Sequence, residues 1–487
     1  MSLSSTRAAT PAPRVADALA LGRLDAHDQA ALIARGELSA AELTEAAIVR
    51  IQALDPALGA LSHQAFDLGR ARAAQVDAMG AERPAMGGVP LLLKDSLAWP
   101  GMPTRGGSRS RNNVLATHAH AFAQRLEAQA LVPLGKTAMP EFGLLPSTEP
   151  LLGPVTRNPW NLDRSPGGSS GGAGAALAAG LVPLAHGSDG AGSIRIPASC
   201  CGVVGLKPGR GGVVRVRERH PIEDLIVSDS LMSRSVRDSA WAFAATSPQG
   251  RPMVRQAPDR RLRIALVEGN LHGQAAPAAL QDATAQAARL CEQLGHRVEL
   301  APWPVDGAQV LRAMTTLWSH TAADCVDLTV AALGMEATQG ALEPWTRNLA
   351  QWNRQHCGIA QLEHAYAQLA ALPPAFDAFH QRYDVLLTPT LHRAPPVLGA
   401  LSPERPVEEL LAAFFDWCSY TPLQNLAGTA AISLPLAHDD DGLPLGVQFA
   451  ANRGDEDLLL GLAYELEAAA PWHDRWPTHS VATLETR

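Results

Sequence analysis

Ser169 and Ser193 each lie in a glycine-rich cluster, "SPGGSSGG" (165–172) and "GSDGAGSIR" (187–195), 24 residues apart. Glycine serves where the backbone takes a positive φ or passes close to another group. Two such clusters, each carrying hydroxyls, suggest two loops brought to one site. Three readings of the first cluster compete. Gly-Ser runs are commonly flexible linkers, yet Pro166 stiffens the entry and small helical residues follow at once. Residues 167–171 also satisfy G-x-S-x-G, the turn of a nucleophile elbow. That turn needs a strand before its serine, and "VTRNPWNLDRSP" reads as loop. The third reading is serine hydrolysis without histidine. A serine hydroxyl is a weak nucleophile until a base removes its proton. A lysine can act as that base only when neutral, so its pKa must fall from about 10.4 toward neutrality. Burial at the end of an apolar strand, or a nearby cation, lowers it. Lys94, closing "GGVPLLLK", is so placed, although a strand end reaching water gives the same local pattern.

The elements that would position these groups alternate. "GGVPLLLKDSLAW" and "ALVPLGKT" (130–137) are apolar runs bounded by glycine, proline and charge, the pattern of buried strands. "GAGAALAAGLVPLAHG" divides into a small-residue helix and a strand. "SAAE" is a capping box, with Ser39 as cap and Glu42 three residues on, and Leu43, Ala47, Ile51 and Leu54 follow on one helical face. Further strands are expected in 261–269, 383–390, 430–437 and 442–451, with helices in "AALQDATAQAARLCEQLG" and "DEDLLLGLAYELEAAA". Strands alternating with helices predict an α/β fold: a large, mixed, mostly parallel twisted sheet covered by helices on both faces. Residues 1–22 read as a loose tail, 23–487 as one domain, and 240–380 as its looser region.

The totals exclude several classes. The 487 residues are 46% hydrophobic and 18% charged, an ordinary globular composition. A net charge of −8 offers no basic face to nucleic acid or anionic lipid. Six cysteines, none in a Cys-x-x-Cys pair, read as reduced buried thiols of a cytoplasmic protein. The N-terminus lacks the apolar core of a secretory signal. The longest apolar candidate, 171–185, is broken by Gly180 and Pro183, so no membrane span is expected.

Taken together, the motifs resemble the amidase signature family. The matching stretches are "GGVPLLLKDS", "GKTAMPEFG", "TRNPWN", "GGSSGG", "GSDGAGSIRIPASCCGVVGLKP", "SRSVRD", "NLAGTAAISLP" and "GLPLGVQ", in order across roughly residues 28–472. Within the family the pattern is nearest to bacterial 6-aminohexanoate cyclic-dimer hydrolases and related broad amidases. The resemblance implies a cofactor-free, metal-free Ser-Ser-Lys hydrolase of small linear or cyclic amides, acting as monomer or homodimer. It implies Ser193 as nucleophile, Ser169 as bridge, held by a cis peptide bond, and Lys94 as base. The backbone N–H groups of Gly190, Ala191, Gly192 and Ser193 would receive the oxyanion, Ala191 standing where the family usually has glycine. Ala138 stands where asparagine is frequent. Asp189, Arg195 and Ser170 would brace the loop, although for Asp189 and Arg195 a surface ion pair fits as well. His186 is expected to pack rather than react. Specificity is sought in 140–150, 315–320 and 414–425, with Trp318, Phe415 and Trp417 as candidate pocket walls; the same aromatics fit a plain core. Two rivals stay open: the glutaminase subunit of a tRNA-dependent amidotransferase, and a catalytically silent binding protein of the same fold.

Overall fold

The computed structural model describes residues 13–111, 114–214, 220–248 and 250–484. Its strands are β1 (Leu61–Gln64), β2 (Pro90–Lys94), β3 (Val132–Thr137), β4 (Leu184–Asp189), β5 (Gly205–Lys207), β6 (Ser228–Ser233), β7 (Arg263–Leu266), β8 (Arg297–Leu300), β9 (Val385–Pro389), β10 (Ala430–His438) and β11 (Pro444–Ala451). They form one sheet of order β1-β3-β2-β4-β6 and another of order β5-β10-β11-β9-β7-β8. An antiparallel bridge between Val204 and Ser233 links the two. Every residue of β2, β3, β4, β6, β9 and β11 is buried, so these strands are covered on both faces. The α/β class is as expected, but the pairing is more evenly mixed than mostly parallel. β2–β3, β2–β4, β7–β8 and β7–β9 are parallel. β1–β3, β4–β6, β5–β10, β10–β11 and β9–β11 are antiparallel.

Lys94 and the second glycine cluster meet because β2 and β4 run side by side in the same direction, Leu92 opposite Ala185. β2 carries Leu91, Leu92 and Leu93, all fully buried. Burying a side chain of this size contributes roughly 1.5–3 kcal/mol, enough to draw the lysine stem inward with it. Both strands deliver their last residues, Lys94 and Asp189, to one edge, the carboxyl end where parallel α/β sheets bind ligands.

Two sequence expectations need correction. The loose tail does not extend to residue 22: Val15–Gly22 is helical and packs on helix Ala40–Leu58. Ala18 and Leu19 are buried, and the buried Arg50 guanidinium donates to the Ala18 carbonyl at 2.9 Å. The expected tail residues before 13 lie outside the described residues. The looser region of 240–380 is largely helix, with Gly307–Leu333, Pro344–His356 and Ile359–Arg382 burying Leu317, Trp345, Leu349 and Phe376. The capping box at Ser39 is formed as predicted, its hydroxyl accepting from the Glu42 N–H at 3.1 Å. Among the described residues no helix is long and apolar enough to cross a membrane.

Candidate active site

Lys94 is fully buried, and its Nζ lies 2.7 Å from Ser169 Oγ, 2.8 Å from Ser188 Oγ and 3.3 Å from the Ser188 carbonyl. None of these three partners is a carboxylate. A neutral amine has two N–H groups and one lone pair. The Ser188 carbonyl can only accept, and the Ser188 hydroxyl can accept the second proton. Were the amine neutral, that division would leave its lone pair for the Ser169 hydroxyl. Ser188 was absent from the sequence-derived set; its signal was the first of the two serines in "GSDGAGS", one residue before the end of β4.

Ser169 follows a cis Gly168–Ser169 peptide bond. Only glycine fits at 168, where an added Cβ would stand 2.6 Å from the Ser147 carbonyl oxygen. Ser170 braces its neighbour: its Oγ donates to the Ser188 carbonyl at 3.3 Å and accepts from the Ser188 N–H at 3.2 Å. Ser193 is brought alongside by the Ser170 N–H, which donates to the Ser193 carbonyl at 3.3 Å. Ser169, Ser188 and Ser193 all line one cleft of about 370 Å³, with Phe142, Gly190 and Trp318. The Ser169 and Ser193 hydroxyls form no hydrogen bond with each other in this structure, so the Lys94–Ser169 contact is closed and the Ser169–Ser193 contact is open.

The 189–195 loop is fixed from beneath. Asp189 and Arg195 are both fully buried, which rules out a surface ion pair. Asp189 accepts from the Gly192 N–H at 2.7 Å, the Ile194 N–H at 3.2 Å, Arg195 Nε at 2.9 Å and Asn425 Nδ2 at 2.9 Å. Arg195 also donates to Asn425 Oδ1 at 2.6 Å and Gln448 Oε1 at 2.7 Å. Burial alone would raise the Asp189 carboxyl; the attraction and hydrogen bonds of Arg195, aided by Lys207 and Asn425, outweigh it and hold the carboxyl below the ordinary range. Nearby Lys207 is pushed down to about 7, by burial first and then by Arg195.

This brace changes the expected oxyanion donors. The Gly192 N–H is taken by Asp189 and is not free for a ligand. The N–H groups of Gly190, Ala191 and Ser193 have no acceptor among the described residues. Gly192 is needed for shape instead: its φ is +129°, and an added Cβ would lie 2.3 Å from Thr421 Oγ1. Thr421 in turn donates to the Ala191 carbonyl at 2.6 Å.

Of the three candidate pocket aromatics, only Trp318 lines the cleft, its indole N–H donating to the Leu144 carbonyl at 3.1 Å. Phe415 faces a separate cavity of about 900 Å³, which Lys94, Ser169 and Ser193 do not line. Trp417 lines neither cavity and donates to the Arg393 carbonyl. Within 414–425, Thr421, Gln424 and Asn425 hold the loop from below rather than facing ligand. His186 packs as expected: buried, 5.3 Å from the Phe122 ring and bonded to Asp229 at 3.0 Å.

Comparison with known proteins agrees with this architecture. The Amidase family model matches residues 42–460. A putative amidase, AmiC, of Mycobacterium bovis is 39% identical, the match covering 93% of this chain and 96% of that protein. The 6-aminohexanoate-cyclic-dimer hydrolase of Paenarthrobacter ureafaciens is 34% identical with the same coverage. A solved structure of 6-aminohexanoate cyclic dimer hydrolase superposes with a TM-score of 0.86 at 33% identity, covering 94% of this chain and 99% of that one. A bacterial aryl acylamidase of the amidase signature enzymes superposes with a TM-score of 0.81 at 26% identity, covering 94% and 98%. The likeness to a glutamyl-tRNA(Gln) amidotransferase chain of Thermotoga maritima, at 24% identity, is one of fold alone. With its glycine-serine clusters meeting a buried lysine at one sheet edge, this chain belongs to the amidase signature family and is a hydrolase of amide C–N bonds.

Proposed function

We propose that the chain cleaves carboxamides through an acyl-enzyme on Ser193, with Ser169 as proton bridge and Lys94 as base. The observation that carries this reading is the buried Lys94–Ser169 contact of 2.7 Å at the edge of the cleft that Ser193 also lines. Neutral Lys94 accepts the Ser169 proton while Ser169 accepts that of Ser193. The Ser193 Oγ then bonds to the amide carbonyl carbon, and the C=O electron pair moves onto oxygen. The N–H groups of Gly190, Ala191 and Ser193 are the donors available to it; one such donor is typically worth about 10²–10³ in rate. The proton returns from Lys94 through Ser169 to the leaving nitrogen as the C–N bond breaks, which an amide requires because an amine leaves poorly unprotonated. Water then cleaves the ester by the same relay. Open linear amides, cyclic amides and anilides are the substrate types that the named relatives suggest; esters and carbamates follow from the chemistry.

Ser193→Ala is expected to lower kcat on a panel of aryl and alkyl amides by about 10³-fold or more. Lys94→Ala is expected to lose the limb of the pH–rate profile that rises as the amine loses its proton. Undiminished turnover by Ser193→Ala would end the proposal.

A further inference from the structure

The cleft above Ser193 carries charge at its rim, and that charge is unevenly satisfied. Arg111 is an exposed lining residue, with its guanidinium carbon 5.1 Å from the centroid of the Phe142 ring. It forms no ion pair among the described residues. The lining residue His220 is bonded through Nε2 to Asp324 at 3.2 Å, and the acidic lining residue Glu223 has a partner of its own. The cleft lining is mixed: its apolar part includes Phe142, Ile226, Val227 and Trp318, with polar Ser96, Thr104, His120 and Thr321 among the other lining residues. A guanidinium laid on an aromatic face keeps its N–H fork available at the edge, and that fork matches a carboxylate with two parallel bonds.

We infer that Arg111 is a specificity-determining residue, and that the preferred substrates are amides with a carboxylate separated from the scissile bond by an apolar segment. This rests on the amide-hydrolase reading of the same cleft. The apolar part of the lining takes the connecting segment, Ser193 takes the carbonyl, and Arg111 takes the anionic end at the exposed rim. The carboxylate is on either the acyl or the amine side, and the test separates these.

Binding is measured by calorimetry to the full-length Ser193→Ala protein, so no turnover is needed. Suberic acid mono-anilide is compared with octananilide, and N-benzoyl-5-aminopentanoate with N-pentylbenzamide. In one pair the carboxylated member should bind about tenfold more tightly than its neutral partner, the scale of a charge-assisted hydrogen bond. That pair identifies the side bearing the carboxylate. Adding Arg111→Gln should bring the ratio of dissociation constants close to one, Arg111→Lys should keep part of it, and about 0.5 M salt should narrow it. Equal affinities in both pairs, a ratio that survives Arg111→Gln, or equal weakening of charged and neutral members would each overturn the inference. Equal weakening would mean that Arg111 serves only to support Phe142. Turnover of the neutral anilide by the unmutated enzyme tests the hydrolase reading separately.

Discussion

At the scale of single residues, the site depends on what lies beneath Ser193. A buried ion pair is costly to desolvate, and it is held here because the Asp189 oxygens and the Arg195 nitrogens both find several further partners. Removing one member would strand the other; Arg195→Ala is therefore the kind of change that costs about 3–5 kcal/mol. Gly192 is a sharper probe. Its φ of +129° is one that L side chains rarely adopt, and the alanine methyl would collide with Thr421. Gly192→Ala should lower stability by more than about 1 kcal/mol, read from urea midpoints. It should also reduce kcat at least about tenfold, because the N–H groups of Gly190, Ala191 and Ser193 move with the loop. Retention of full kcat by a folded Gly192→Ala protein would show that the loop shape is not what presents Ser193.

Among the secondary-structure elements, helix Pro344–His356 reaches the cleft through carboxylates. The Glu343 N–H at its start donates to Glu141 Oε2 at 2.9 Å, and Thr346 Oγ1 donates to the same oxygen at 2.5 Å. Glu141 begins the 141–144 turn, whose Phe142, Gly143 and Leu144 line the cleft. Burial, and then the nearby Glu141, push the Glu343 carboxyl up to about 8. An acid raised in the folded state keeps its proton while the unfolded chain ionises, so stability is full below about 4.5 and declines as pH rises toward 8. Glu343→Gln keeps an oxygen for the Leu151 N–H, which now donates to Glu343 Oε1 at 2.6 Å, and removes the titration. Its melting temperature should exceed that of the parent at pH 8 by an amount on the order of 1–3 kcal/mol in stability, with little gain near pH 4.5. An equal gain at both pH values would refute the assignment. The strands that carry the chemistry were legible in sequence because they are short apolar runs with glycine or proline at their edges, as in β2, β4 and β11. β6 was not: "SDSLMS" is buried throughout and shows no alternation. Nor were Thr421, Asn425 and Gln448 as supports of residues 189–195, because more than 220 residues of chain separate them and no local pattern records that contact.

Over the whole molecule, Trp318 and Phe415 line two separate cavities. Helix Val407–Trp417 presents aromatics at a spacing that does not reveal which cavity each one faces, so Phe415 and Trp417 could not be separated from Trp318 by sequence. Phe415→Ala should cost about 3–5 kcal/mol of stability, as large-to-small core changes do, while KM for a neutral anilide stays within about twofold of the parent. Trp318→Ala should raise that KM severalfold. Parallel thermal melts and Michaelis curves distinguish the two, and a KM change of similar size in both would join the cavities functionally. The Arg195–Gln448 bond has a broader consequence. Lys94, Ser169 and Ser193 fall within the first 193 residues, yet the loop presenting Ser193 is moored to β11, in the other sheet. A fragment ending before Gln448 would keep those three proposed catalytic side chains and lose this mooring of the loop, and is expected to be inert. During synthesis Arg195 would gain this partner only after Gln448 had left the ribosome, long after the three side chains themselves.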